Sequence, residues 1–171
     1  MQVRLESAVD RRATIENLFQ FYVHDFAEFW ESRRVDLDSD GRFPAYPPLS
    51  AYWVEPGAEP LLVTADGRLA GFVLVNRRSR SGRPCDFNMD DFWIARHYRR
   101  EGVGRVAAGL AMRARPGLWE IAIARWNLPA QAFWRRVADE LASGPVEARE
   151  QQDAHWDGPV LRLTVADGLQ R

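Results

Sequence analysis

The chain has 171 residues, 46% of them hydrophobic and 27% charged, with a formal net charge of -1. That size and balance suit one folded domain with one core and argue against disorder, and near-neutrality argues against a nucleic-acid surface driven by net charge. No apolar run approaches the roughly 20 residues a bilayer span needs, the opening Met1 to Arg4 lacks a secretory apolar core, and a lone Cys85 can make no internal disulfide. A non-membrane, reducing, cytoplasmic setting is therefore expected.

In chain order, Val3 to Leu5 reads as a short opening strand. From Asp10, a candidate N-cap, the apolar residues Ile15, Leu18, Phe19, Tyr22, Phe26, Phe29 and Trp30 recur at helical spacing. A polar, proline-rich passage from Glu31 to Pro60 follows, too long for a mere connector. Within it, Asp36 to Gly41 matches the first half of a calcium loop, but the twelfth position, which needs a bidentate Glu, is Pro47. It reads as an acidic loop, and no metal site is expected.

Leu61 to Ala65 and Leu69 to Val75 form two apolar runs around Asp66-Gly67-Arg68, a strong hairpin signal. After a basic loop containing Cys85, Phe87 to Ala95 reads as a strand. No histidine stands close enough in sequence to Cys85 to suggest an activated thiol. Val103, Val106, Ala107, Leu110, Ala111 and Ala114 mark a helix closed by Pro116-Gly117. Trp119 to Ala124 is strand-like, Asn127 precedes a second helix carrying Phe133, Trp134 and Val137, and Val146 to Val165 reads as a final hairpin. No repeat or linker interrupts this order.

The informative segment is Arg99-Arg100-Glu101-Gly102-Val103-Gly104-Arg105, between a strand and a helix. Two glycines let a backbone approach a ligand closely, and the first N–H groups of a helix have no internal partner and attract phosphate. Arg99, Arg100 and Arg105 add charged donors there. The run Gly102 to Ala107 also satisfies the dinucleotide pattern Gly-x-Gly-x-x-Ala, with Glu120 as the ribose-binding acid. A polar stretch separates it from its strand, however, and too little chain remains for a doubly wound sheet.

Arg99-x-x-Gly102-x-Gly104, after an apolar strand and Arg96-His97-Tyr98, resembles the pyrophosphate signature of the GNAT N-acetyltransferase superfamily. Asn127-Leu128-Pro129-Ala130-Gln131-Ala132-Phe133-Trp134 is similar to that family's next motif, Asn-x-x-Ala-x-x-Phe-Tyr, with Trp in the tyrosine position. The likeness is good over Leu61 to Val137, and the opening helix with its acidic, Pro-rich sequel is similar to a subgroup of uncharacterised predicted acetyltransferases. It implies one α/β domain over residues 1–171, a mixed and mostly antiparallel sheet flanked by helices. It implies acetyl-CoA as co-substrate and an amine as acceptor, or alternatively an acyl-CoA-binding sensor of the same fold. By motif position, backbone groups of Trp93 and Ile94 would hold the pantetheine arm. Those of Arg100, Glu101, Gly102, Val103, Gly104 and Arg105 would hold the pyrophosphate, Asn127 would touch the cofactor, and Trp134 would lie near its sulfur.

Direct attack of an amine on a thioester needs no protein nucleophile, and none stands out. Asp90 and Asp91 are the candidate bases, with His24 and His97 as further options; on a regular strand only one of the two acids can face the site. Indole cannot act as an acid, so Trp134 in place of tyrosine predicts a slower enzyme. Tyr22, Phe26, Tyr46, Tyr52, Trp53, His155 and Trp156 are expected at the acceptor site. Acids from Glu28, Glu31, Asp36, Asp38 and Asp40 would favour a cationic amine. The many aromatics make a homodimer plausible.

Overall fold

The computed structural model describes residues 1–27, 36–43 and 49–167. Its strands are β1 (Val3–Ser7), β2 (Glu59–Ala65), β3 (Arg68–Asn76), β4 (Phe87–Ile94), β5 (Gly117–Ala122), β6 (Glu147–Gln152) and β7 (Asp157–Val165). Its helices are α1 (Arg12–Ala27), α2 (Val103–Arg113) and α3 (Leu128–Leu141). The strands form one sheet in the order β1-β2-β3-β4-β5-β7-β6, antiparallel everywhere except between β4 and β5. Both the mixed sheet and the flanking helices are as the sequence leads one to expect.

Side chains on the two faces of the strands make two apolar layers. Val63, Val73, Val75 and Met89 meet Val103, Ala107, Ala111, Trp134 and Val137 from α2 and α3. On the other face, Leu62, Phe72 and Leu74 meet Ile15, Phe19 and Val23, the buried stripe of α1. That helix begins later than Asp10 suggests. The Arg11 carbonyl accepts the first helical bond, from the Ile15 N–H at 3.3 Å, so Arg11 holds the capping position. The expected continuation through Phe29 and Trp30, like Glu28, Glu31, Tyr46 and Pro47, lies outside the described residues.

The β2–β3 hairpin turns on Asp66 and Gly67, both with positive φ (49° and 74°), the left-handed pair a two-residue turn needs to match strand twist. Within Asp36 to Gly41 the Asp38 carboxylate accepts from the Asp40 and Arg42 N–H groups at 3.0 and 2.8 Å. Among the described residues no cluster of His, Cys, Asp and Glu is arranged to hold a metal ion. Among them, too, no helix is long and apolar enough to cross a membrane.

Two irregularities shape the centre of the sheet. First, β4 and β5 pair only at Phe87–Trp119 and Asn88–Glu120. Beyond that rung the strands part. Second, Leu74 faces Asp91 while Val75 faces Met89, which leaves Asp90 without a cross-strand partner. Asp90 is the inserted residue of a β-bulge, and a bulge breaks the alternation of side chains along its strand.

Glu120 is fully buried at the last paired rung and meets Arg162 of β7, itself only 6% exposed, at 2.5 Å. Burial alone would raise the Glu120 pKa, but donors from Ser81, Arg80 and Ser79 hold it below the usual range. Arg162 in turn reaches the carbonyl oxygen of Pro84 at 2.5 Å, so the pair pins the loop between β3 and β4. Removing one partner of such a pair strands a charge. Arg162→Ala is expected to cost about 3–5 kcal/mol by urea denaturation, and the paired replacement Glu120→Leu/Arg162→Met about half that or less. A single variant losing under about 1 kcal/mol would mean that the loop's neutral donors suffice for the acid.

Candidate active site

Where β4 and β5 part, a cleft of about 1400 Å³ opens. Met89 to Ile94 form one wall and Ala122 to Ala124 the other; Gly102 with Gly104 and Arg105 of α2, and Asn127 with Phe133 and Trp134 of α3, close its ends.

The peptide groups of β4 divide by the rule of antiparallel ladders, in which bonded and non-bonded pairs alternate. The Ala95 N–H donates to the Ala70 carbonyl at 2.8 Å, so in the register Gly71–Ile94, Phe72–Trp93, Val73–Phe92 the bonded pair is Phe72–Trp93. The backbone groups of Phe92 and Ile94 therefore point toward the cleft. Those of Trp93 do not, which corrects the expectation that Trp93 would hold a ligand's amide arm. The Ile94 N–H stays on the cleft side, while its carbonyl already accepts from Arg99 Nε at 2.7 Å.

At the wide end, Gly102 caps α2 with φ 82°, a left-handed conformation that glycine adopts without penalty. The Val106 N–H closes the first helical turn onto the Gly102 carbonyl at 3.1 Å. The N–H groups of Val103, Gly104 and Arg105 precede that bond and stay outside the helical ladder. A Cβ on Gly102 would meet nothing within 4 Å, and one on Gly104 would reach no closer than 3.5 Å to Phe133. Protein packing thus does not demand glycine at Gly104.

The three expected arginines have different fates. Arg99 pairs with Asp25 of α1, and Arg105 is bidentate to Glu140 of α3 at 2.7 and 2.8 Å. Only Arg100, beside the cleft with φ 65°, has no acceptor among the described residues. Glu101 is exposed at the turn, and the Val103 side chain is fully buried in the core, so both are present there through backbone alone. Asn127 borders the cleft, but its side-chain oxygen caps α3 by accepting from the Ala130 N–H at 3.1 Å. Trp134 is 6% exposed, packed edge-on against Phe92 with centroids 5.1 Å apart, and its indole N–H meets no acceptor among the described residues.

The bulge brings Asp90 and Asp91 to the same face, against the expectation that only one could face the site. Met89 and Phe92 on either side pack toward α2 and α3, while the acids point toward α1. They are not equivalent. Asp90 accepts from Tyr52 Oη (2.5 Å) and Asn76 (2.8 Å) on one oxygen, and from Arg80 (2.9 Å) and Asn88 (3.2 Å) on the other. Both of its oxygens are thereby taken, which speaks against the role of base that the sequence allowed it.

Asp91 is the opposite case. Burial, then the neighbouring Asp90 charge, push its pKa up to about 7, against pulls from a Tyr22 hydrogen bond and Arg80. Burial and Asp91 in turn raise the Tyr22 hydroxyl, which stays a neutral donor. Neither His24 nor His97 borders the cleft, and burial raises the Cys85 thiol, which keeps it protonated. Glu120, the ribose acid of the dinucleotide reading, is fully buried against Arg162 and its loop and is not available for that role.

Sequence reasoning missed Asn88, Asn76, Arg80 and Asp25. Nothing in spacing marks them, because the contacts span loops and a bulge. Asp25 accepts from Trp93 Nε1 at 3.0 Å and Arg96 at 3.1 Å as well as from Arg99. Burial would raise its pKa, but those donors hold it below the usual carboxylate range.

The raised Asp91 pKa makes a stability prediction. Between the unfolded value of 3.8 and about 7, the folded chain holds a proton that the unfolded chain has released. Stability therefore falls as pH rises through that window. Asp91→Asn cannot ionise, so above pH 7 it should exceed the parent by on the order of 2–4 kcal/mol, with the gap closing below about pH 4. Urea unfolding at pH 4 and 8 checks this; equal differences at both pH values would refute a raised pKa.

The Acetyltransferase (GNAT) family model matches residues 15–138. An acetyltransferase from Thermus thermophilus shares the fold with TM-score 0.64 and 13% identity, over 96% of this chain and 98% of that one. A GNAT-family acetyltransferase from Staphylococcus aureus does so with TM-score 0.59 and 11% identity, over 95% and 99%. The PaiA N-acetyltransferase from Thermoplasma acidophilum, solved with coenzyme A, gives TM-score 0.54 and 10% identity over 96% and 99%. Such identities speak for fold alone, and no curated protein matches this chain in sequence. The family match runs from the first core residue of α1 through the parted strands to the buried face of α3, and on that ground the chain belongs to the acetyltransferase (GNAT) family.

Proposed function

We propose that the chain is an N-acetyltransferase that uses acetyl-CoA and passes the acetyl group directly to a primary amine bound in the same cleft. The observation that carries this reading is the parting of β4 from β5 beyond Asn88–Glu120, which leaves strand amides and an open helix end on one cavity. Acetyl-CoA supplies, when bound, an acyl group already activated as a thioester.

The residues divide the remaining work. The N–H groups of Val103, Gly104 and Arg105, with Gly102 and Arg100 beside them, suit a diphosphate. The backbone of Phe92 and the Ile94 N–H suit an amide-bearing arm laid along β4, and a fixed strand N–H can also polarise a carbonyl. Asp91 takes the proton from the amine. A carboxyl titrating near 7 is half ionised at neutral pH and a stronger base than an ordinary aspartate. Tyr22 orients it. Trp134 seals the cleft beside Phe92 and supplies no proton, so the thiol leaves as thiolate, which its ordinary pKa of about 8.5 permits.

Asp91→Asn should lower kcat/KM by about 10²–10⁴-fold and remove an inflection near pH 7 from the pH profile of kcat/KM, followed by thiol release from acetyl-CoA. An unaltered profile would remove Asp91 as the base. Trp134→Tyr should raise turnover by about 10-fold or more if an acid at that place assists departure; unchanged turnover means the position is not catalytic. The silent indole at Trp134 also favours a second reading, an acyl-CoA-binding sensor with little chemistry. Tight coenzyme A binding by calorimetry, with no thiol release across an amine panel, would select it.

A further inference from the structure

Arg80 stands on a loop that is unusually well fixed for an exposed connection. The Arg80 N–H donates to Glu120 at 2.5 Å, the Ser81 N–H does so at 2.9 Å, and the Arg80 carbonyl accepts from Gln151 at 2.7 Å. The buried Arg162–Glu120 pair lies directly beneath. From this base the Arg80 side chain enters the cleft, where it lies over the Trp156 ring at 5.7 Å and reaches Asp90 through one terminal nitrogen at 2.9 Å. Its Nε and other terminal nitrogen have no acceptor among the described residues. A guanidinium carries five N–H donors in a rigid fork, so it can join two carboxylates at once.

Charge matching says what the free side of the fork is for. Asp90 is met by Tyr52, Asn76 and Asn88 before Arg80 is counted. Asp91, ionised, is the natural partner of an ammonium. Arg80 is ion-paired to Asp90 through one terminal nitrogen only, so Nε and the other terminal nitrogen remain on the open side of the fork, where an anion would meet them. Resting on the N-acetyltransferase reading above, we propose that the acceptor carries a carboxylate beside its amine, as an amino acid does, and that Arg80 binds this carboxylate while Asp91 receives the amine. Arg80 is thus a specificity-determining residue, and the site takes a zwitterion in place of the simple cationic amine that the acidic loop residues suggested.

The probes are the common amino acids paired with their carboxamides, which differ only in the anionic group. With acetyl-CoA and thiol release as the readout, at least one amino acid should exceed its carboxamide by about 10-fold or more in kcat/KM. Arg80→Gln should raise KM for that amino acid by about 10–100-fold, the size of a lost charged hydrogen bond, and bring the pair to near equality. Arg80→Lys should restore part of the preference. General damage to the loop would lower both members of each pair alike, so equal losses would overturn the proposal, as would carboxamides that react as well as amino acids in the parent. If no amine turns over, calorimetry of the same pairs on the coenzyme A-loaded protein separates the two ideas. Preferential amino-acid binding lost in Arg80→Gln would uphold the carboxylate site while the transferase reading fails, and absence of such binding would overturn the site.

Discussion

Everything in the cleft depends on where the parallel rung between β4 and β5 stops. Two strands that pair at Phe87–Trp119 and Asn88–Glu120 and then part leave peptide groups that would otherwise bond each other. Exposed strand edges inside a protein are costly unless something is meant to meet them. At the point of separation the fold places its most demanding electrostatic feature, a buried carboxylate held by an arginine from β7 and by the loop before β4. Such a pair adds little net stability, but it fixes geometry, because any displacement unpairs a charge in a low dielectric.

The second constraint is the extra residue in β4. Without Asp90 as an insertion, Asp91 would have no second acid beside it on its own face of the strand. The bulge sets a second acid beside it and lets neutral donors and Arg80 satisfy that second acid completely. One carboxylate thereby has both oxygens held by donors, and the other is destabilised in its ionised form. The pair illustrates how two chemically identical side chains, adjacent in sequence, come to differ electrostatically through their surroundings.

Much of the architecture was legible in the sequence because it rests on short-range patterns. The stripe at Ile15 and Phe19, the Asp66-Gly67 turn and the apolar face from Val103 to Ala111 each encode one element. The glycine turn at Gly102 was legible for a similar reason, since its conformation and the helix it opens are local. What escaped was everything carried between distant segments. Alternation alone assigns Asp90 and Asp91 to opposite faces and cannot register an unpaired residue, and the ladder phase that points the Trp93 peptide groups at β3 rather than into the cleft depends on β3. Arg99 and Arg105 look available in the sequence, yet Asp25 and Glu140, far away along the chain, already hold them. Local spacing gives the position of a charge and says nothing of its partner.

Asp25 carries a mechanical consequence. It sits in the last described turn of α1 and gathers the Trp93 indole from β4 together with Arg96 and Arg99 from the segment leading to Gly102. The carboxylate works as a rivet through three parts that lie on either side of the sheet. Through Arg99 the end of α1 is thereby tied to the Ile94 carbonyl, so the helix that would frame one substrate is bonded to the segment leading to the turn that would grip the other.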